Sequence, residues 1–246
     1  MFSLAVCFGS RLFQRGKRAI EPPDGQGFLL TAALALLGLL IAFTFSMASG
    51  RFDARRQALL SEANAVGTTY LRFQILDEPY RSELSADLLS YLDARSSFFA
   101  AGVDTPAIAR ADAATGRTET RMWSKLADWI RRHPGASANV SLMQATNDMF
   151  DLAASDRVVR EARVPLTIIR AIALYALIAA VLLGQNFATR KHIHPFAAAT
   201  VFILVALSIA LILDLDRPAS GTITVSTAAF DRAAASIRAM EAARTK

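Results

Sequence analysis

Charges placed beside or inside apolar segments are the residues of this sequence with the clearest chemical consequence. Arg170 interrupts one long apolar run, and Asp214 and Asp216 follow the end of another. A charged side chain inside a membrane span costs about 2.5–3.5 kcal/mol, so it needs a partner or a wet cavity. We therefore expect Arg170 to pair with Asp214, Asp216 or both. The alternative is that Arg170 extends to lipid headgroups while the two aspartates are in water.

Signals of enzymatic chemistry are weak in this sequence. His192 and His194 are two positions apart, but no cysteine or third histidine completes a zinc site with them,. Cys7 is the single cysteine, which excludes a disulfide framework,. The sequence motifs GxxxxGK[ST], GxSxG and HExxH do not occur. We therefore predict no catalytic residues, no metal site, no cofactor and no enzymatic activity.

Three apolar segments are long enough to cross a bilayer, since about 20 apolar residues span the hydrocarbon core. Residues 25–50 carry no charge, and residues 171–189 and 195–213 are similarly uncharged. The predicted transmembrane helices are 27–49, 164–185 and 195–215. The short charged connection between the last two predicts an antiparallel hairpin with a water-facing tip.

Residues 50–163 are predicted to form a helical extramembrane domain. Residues 51–163 contain 15 basic and 15 acidic residues, so the excess charge of +6 lies on the flanks. That distribution argues against nucleic-acid binding. A seven-residue repeat of Phe52, Leu59, Val66 and Phe73 predicts one helix with a single apolar stripe, which continues the first span out of the membrane,.

Local signals predict where the further helices begin and end. Asp77 is expected to cap the second helix, which has Pro79 in its first turn,. Gly116 is expected to break the chain before a third helix, and Pro165 to kink a fourth as it enters the bilayer,.

Both ends of the chain lie outside the predicted spans. Residues 1–26 are a basic N-terminal segment whose apolar start, MFSLAVCFG, is too short to cross alone,. If that start is the stub of a further span, the protein has four spans and otherwise it has three. In the tail, 216–246, residues 222–226 predict a short strand or an extended arm, followed by an amphipathic surface helix at 229–244.

Small residues recur every four positions in two of the spans. Such spacing lets helix backbones approach closely, which is how spans associate within lipid. The first-span ladder is Gly38, Ala42, Ser46 and Gly50, and the second-span ladder is Ala176, Ala180 and Gly184. Packing within one chain and packing between subunits both remain open.

Four segments resemble the bacterial bestrophin-like domain family. They are FTFSMASGRFDARRQALLSEANAVGTTYLR at 43–72, LDEPYRSEL at 76–84, NDMFDL at 147–152 and DLDRPASGTITVS at 214–226. The most specific positions are Glu62 and Asn64 of EAN and Arg217 and Pro218 of DLDRPxSG. Bestrophins are pentameric anion channels with membrane helices around an axial pore and a cytosolic helical domain.

The resemblance implies an all-α integral membrane protein that assembles as a homo-oligomer in the lipid bilayer and conducts small anions. The candidate pore constriction is Phe43, Thr44 and Phe45, although lipid contact is the alternative for the two phenylalanines,. The expected location is the bacterial inner membrane. Seven basic residues flank the spans on the insert side against five on the other, which favours a cytoplasmic insert,. The second function class is a non-conducting membrane-anchored scaffold that binds partners through its helical domain.

Overall fold

The structure, a computed structural model, describes residues 25–189, 195–217 and 221–244. Regular secondary structure in these ranges is entirely helical, which confirms the predicted all-α class. The helices are α1 (Gly25–Phe73), α2 (Tyr80–Ala100), α3 (Thr105–Arg132), α4 (Asn139–Glu161), α5 (Leu166–Thr189), α6 (Pro195–Asp216) and α7 (Ala228–Arg244). The predictions for the N-terminal stub and for His192 and His194 fall outside the described residues.

Among the described residues, three helices are long and apolar enough to cross a membrane, and each contains most of one of the three predicted apolar segments. They are Gly27–Phe73, Leu166–Asn186 and Ala198–Asp216. Helix α1 has 49 residues, so at about 1.5 Å per residue it is more than twice as long as the ~30 Å hydrocarbon core. As the sequence predicted, the helix of the first apolar run continues without a break from Gly50 into the residues that follow.

The chain divides into two compact units. The membrane unit comprises Met1–Gly50 and Arg163–Asp216, and the helical unit comprises Arg51–Ala162 and Arg217–Lys246. The apolar half of α1 together with α5 and α6 therefore belongs to the first unit. The second half of α1 together with α2, α3, α4 and α7 belongs to the second.

The core of the helical unit collects the apolar stripes of its helices. Leu59, Val66 and Phe73 of the seven-residue repeat are buried, as an amphipathic helix requires,. The tail helix joins the same core, because Phe230 and Ile237 are each only 1% exposed. Helix α7 is therefore a structural part of this unit and more than the surface helix that the sequence predicted.

The membrane unit has a smaller core of its own. Leu37 of α1 packs with Ile172, Ala176 and Ala179 of α5 and with Val205 of α6. Only 11–22% of the apolar stretches of these three helices is buried in the single chain, and the other side chains are exposed or partly buried. Helices in lipid can leave apolar side chains uncovered, since lipid tails solvate them.

Several local signals were interpreted wrongly. Helix α3 runs through Gly116, because a glycine costs only about 1 kcal/mol in a helix interior and tertiary packing outweighs that cost,. Asp104 caps α3 by accepting the N–H of Ala107 at 3.1 Å. At the start of α2, the carboxylate that accepts a first-turn N–H is Glu78, from Ser82 at 3.2 Å, instead of the predicted Asp77.

The connection between α4 and α5 and the segment that precedes α7 also bear on the predictions. Helix α4 ends at Glu161 and Ala162 is extended, so α4 and α5 are separate helices instead of one helix kinked at Pro165. The segment 222–226 forms bends and irregular chain without a strand. The predicted strand is therefore not formed, and the extended arm stays a prediction.

Candidate functional site

A cluster of buried charges lies in the core of the helical unit. Glu62 of α1 and Arg95 of α2 are both fully buried, and Asp156 of α4 is 1% exposed. Each charge occupies a position on the apolar stripe of its helix, beside residues such as Leu59, Leu92 or Ala153. The three stripes thus bring the charges together in the same packing step that forms the core.

Arg95 is the centre of this buried charge cluster. Its Nε donates to Glu62 Oε1 at 2.6 Å, and its Nη2 donates to Glu62 Oε2 at 2.6 Å. Nη2 also donates to Asp156 Oδ2 at 3.0 Å. The phenol of Tyr91 donates to Glu62 Oε1 at 2.6 Å. A two-pronged arginine–carboxylate contact is among the strongest and most directional of protein hydrogen bonds.

A second arginine borders the cluster. Nε of Arg160 lies 3.5 Å from Asp156 Oδ2. The Arg160 guanidinium lies 5.3 Å from the ring centre of Phe98 and 4.7 Å from that of Phe99. Arg95 contacts the same two rings at 4.7 and 4.9 Å. The negative ring faces stabilise both cations in a place where water is scarce.

Burial sets the direction of the pKa shifts in this cluster. Burial raises the pKa of the Glu62 carboxyl, and the hydrogen bonds and charge of Arg95 oppose that rise. Burial also raises the pKa of the Tyr91 phenol well above its ordinary value, and the charge of Glu62 adds to this. Tyr91 therefore keeps its proton and acts as a hydrogen-bond donor. For Arg160, burial lowers the pKa and the charge of Asp156 opposes the change.

The arrangement is suited to holding helices together. Two carboxylates and one guanidinium from three helices hydrogen-bond one another at 2.6–3.0 Å, and a misplaced helix would leave a buried charge unpaired. Such an uncompensated charge is costly. The cluster therefore fixes the relative placement of α1, α2 and α4 within the helical unit.

A pH effect is expected from Glu119 of α3, which is near the cluster. Burial raises its pKa, and Arg157, with Nη2 at 3.9 Å, opposes the rise. Because the folded carboxyl binds its proton more tightly than the unfolded one, its contribution to stability falls as the pH rises through the folded pKa. We expect Glu119→Gln to gain stability relative to wild type as the pH rises from 5 to 7.5. Thermal unfolding at both pH values measures this, and a pH-independent difference would contradict it.

Tyr91, Arg95, Asp156 and Arg160 were not predicted as site residues, and Glu62 was singled out only through the family resemblance. A signal for the missed cluster does exist. Glu62, Arg95 and Asp156 each interrupt an apolar stripe at helical spacing, and a charge on such a stripe predicts a buried partner of opposite sign,.

The other family-motif residues lie elsewhere. Asn64 is exposed, and its backbone oxygen accepts a hydrogen bond from Thr68 Oγ1 at 3.1 Å. Arg217 is exposed. Pro218 lies outside the described residues.

The two small-residue ladders of the membrane unit have opposite environments. In α5, Ala176 and Ala180 are fully buried and Gly184 is buried as well. In α1, the ladder residues Gly38, Ala42, Ser46 and Gly50 are all exposed. The α5 ladder therefore packs inside the chain, whereas the α1 ladder is an open face of a single copy.

The three candidate constriction residues also differ in their exposure. Phe43 is 65% exposed and Phe45 is 41% exposed. Thr44 is 1% exposed, and its hydroxyl donates to the Leu40 backbone oxygen at 2.7 Å. A pore-lining residue must be exposed on its own subunit. Phe43 and Phe45 meet this condition and stay candidates, whereas Thr44 is buried within the chain.

The structure does not bring Arg170 into an ion pair with the aspartates among the residues it describes. Arg170 is exposed, and Asp216 Oδ1 accepts the Val164 N–H at 2.9 Å. The pairing stays a prediction for the protein in its membrane, where lipid would surround Arg170.

Charge reversal tests that pairing. If Arg170 and Asp214 pair, Arg170→Asp with Asp214→Arg should recover much of the folded yield that each single reversal loses. The measurement is the monodisperse fraction after detergent extraction. A double reversal that is no better folded than either single variant contradicts the pair.

Comparisons with known proteins agree with this architecture. The family model for the bestrophin-like domain matches residues 1–230. The chain is similar to a crystal structure of a bacterial bestrophin homologue from Klebsiella pneumoniae, with a TM-score of 0.72, 12% identity, and 97% of this chain and 96% of the other covered. Two single-residue variants of that homologue give TM-scores of 0.74 and 0.71, at 10% and 13% identity. Those alignments cover 97% and 98% of this chain and 96% and 97% of the others.

No curated protein matches the chain. The match of the domain model, however, extends over all three apolar helices and nearly all of the helical unit. The chain belongs to the bestrophin-like family of membrane proteins.

Proposed function

We propose that this protein is the subunit of a homo-oligomeric ion channel of the bacterial inner membrane that conducts small anions. The observation that carries the proposal is the bestrophin-like domain match over residues 1–230. Bestrophins, which the sequence resembles, are anion channels with a membrane part and a cytosolic helical part. The chain has helices for both parts within its two compact units.

Assembly is necessary for this function. Three spans in one chain give too little wall to enclose a pore, so several copies must surround it. The exposed α1 ladder of Gly38, Ala42, Ser46 and Gly50 supports such an assembly, because small residues allow a neighbouring helix to approach closely. The exposed surface of the spans would otherwise face lipid alone.

Phe43 and Phe45 are the proposed pore-constricting residues. Both expose their rings from the same span that carries the open ladder. Hydrophobic rings can close a pore by excluding water, and they open when the ring widens. Contact of one or both rings with lipid is the competing assignment.

The helical unit is proposed to lie in the cytoplasm. Arginine and lysine near the span ends are more numerous on the insert side, which favours retention on the cytoplasmic side,. The bestrophin resemblance implies the same orientation. The proposed partners are then the lipid bilayer, further copies of the chain and small anions. The proposal gives the protein no enzymatic role.

Reconstitution tests channel activity. The full chain, purified in detergent and reconstituted in liposomes, should release or take up chloride and bromide faster than empty vesicles. The pH and calcium concentration are varied so that a closed state is not mistaken for an absence of conduction. Flux equal to that of empty vesicles under all conditions would remove the channel assignment.

A scaffold without conduction is the second candidate. Trp123 of α3 is 41% exposed on the helical unit, where a large aromatic side chain can serve as a partner contact,. Chemical crosslinking in membranes separates the candidates. A ladder of identical subunits supports the channel, and a stoichiometric complex with a different protein supports the scaffold.

A further inference from the structure

A cavity of about 460 Å³ in the helical unit lies next to the buried charge cluster. Its walls come from the end of α2, the end of α4, the irregular segment that leads into α7, and the first turn of α7. Phe99 and Arg160 belong both to the wall of the cavity and to the charge cluster. This volume is within the usual range for sites that bind small molecules.

Arg160 supplies the cavity with a fixed cation. Its side chain is 17% exposed, and its ion contact is the 3.5 Å approach of Nε to Asp156. It makes no hydrogen bond to any residue that the structure describes. The rings of Phe98 and Phe99 hold the guanidinium in place. A held guanidinium with unused donors is suited to a planar carboxylate, which accepts two parallel N–H bonds.

Asp231 gives the same cavity a carboxylate. It lies in the first turn of α7, is exposed, and accepts a hydrogen bond from Thr227 Oγ1 at 3.3 Å. Ser96 and Thr224 add hydroxyl groups, and Phe99 adds an apolar wall. The cavity therefore offers one positive group, one negative group, neutral hydrogen-bonding groups and an apolar surface.

We propose that this cavity binds a free amino acid, with the ligand carboxylate at Arg160 and the ligand ammonium at Asp231. Each alternative ligand class meets a group that carries a charge of the same sign as its own. A phosphate or other dianion is repelled by Asp231, and a simple amine is repelled by Arg160,. A zwitterion satisfies both charged groups at once, and its side chain can rest on Phe99.

Binding is tested with the full chain in detergent micelles. The twenty common L-amino acids are screened by thermal unfolding, and the best one is measured by calorimetry beside the two molecules that lack its ammonium or its carboxylate. We expect the intact amino acid to bind at least tenfold more tightly than either half. Amino-acid binding is measured without ion conduction. A failure of the binding proposal therefore leaves the proposed channel function intact, and a failure of the channel function leaves the binding proposal intact.

Two pairs of variants complete the test. Asp231→Asn should weaken binding about tenfold, whereas Asp148→Asn, an exposed aspartate of α4, should leave it unchanged. Arg160→Gln should abolish binding, whereas Arg117→Gln, an exposed arginine of α3, should not. If Arg160→Gln fails to fold, the Asp231 pair decides alone. Any of three results would overturn the proposal. They are no binding of any amino acid, equally tight binding of the intact amino acid and of the molecule that lacks its ammonium, and unchanged binding in the Asp231→Asn variant.

Discussion

Replacing Arg95 with methionine is expected to destabilise the helical unit by about 3–5 kcal/mol, the usual cost of removing one partner from a buried ion pair. Arg95 and Glu62 both have fully buried side chains. Without the guanidinium, Glu62 loses two hydrogen bonds of 2.6 Å and Asp156 loses one of 3.0 Å. Neither carboxylate can reach water without opening the core.

Thermal unfolding of the full chain in detergent measures this effect. The expected fall in the unfolding midpoint is roughly 10 °C, since 1 kcal/mol corresponds to a few degrees in a unit of this size. The matched control is Arg117→Met on α3, which removes an exposed arginine and should change the midpoint little,. Equal losses in the two variants would show that the buried cluster has no special role.

A double variant distinguishes loss of charge pairing from loss of packing. Glu62→Gln removes the carboxylate charge that Arg95→Met leaves unpaired. The two changes together should therefore cost less than the sum of the single costs, because the residues interact directly. Strict additivity would mean that the cost comes from the shape of the side chains alone.

The fold could largely be predicted from sequence because its signals are local. An uncharged stretch of 26 residues has few alternatives to a span,. A repeat such as Leu59, Val66 and Phe73 fixes the buried face of a helix without knowledge of its partner. Predictions failed where a weak local signal competed with packing, as at Gly116, which stays inside α3.

The buried cluster could not be predicted in the same way, because its partners are distant in the chain. Glu62 and Arg95 are 33 positions apart, and Arg95 and Asp156 are 61 apart. Each charge could be recognised as an exception on an apolar stripe. Which of these charged residues pair with each other depends on how the three helices cross, and that geometry is not a property of any one helix.

The small-residue ladders illustrate a further limit of sequence reasoning. The α1 and α5 ladders have the same four-residue spacing, so the pattern alone assigns both to helix packing,. The structure separates them, because the α5 ladder is buried within the chain and the α1 ladder is exposed. An exposed ladder in one copy is a surface available to the next copy.

Enlarging the α1 ladder is therefore expected to break the proposed homo-oligomer while leaving each subunit folded. Ala42 is exposed, and a Cβ added at Gly38 or Gly50 would meet nothing within 4 Å. Because this face is open within one chain, a leucine there is expected to fit the single subunit but to hold a neighbouring helix away. Overpacking costs about 1–3 kcal/mol per site, so Ala42→Leu should weaken association by roughly tenfold or more.

The matched control for Ala42→Leu is Ala173→Leu, the same change at an exposed position of α5. Light scattering of detergent or nanodisc samples should show dissociation for the α1 variant and an unchanged oligomer for the α5 variant. Halide flux in liposomes should fall with the fraction of intact oligomer. An α1 variant that stays fully assembled and conducting would place the subunit interface elsewhere, whereas dissociation caused only by Ala173→Leu would assign it to α5. Because both substitutions add the same apolar volume to a surface that lipid also solvates, a difference between them reports on helix–helix contact alone.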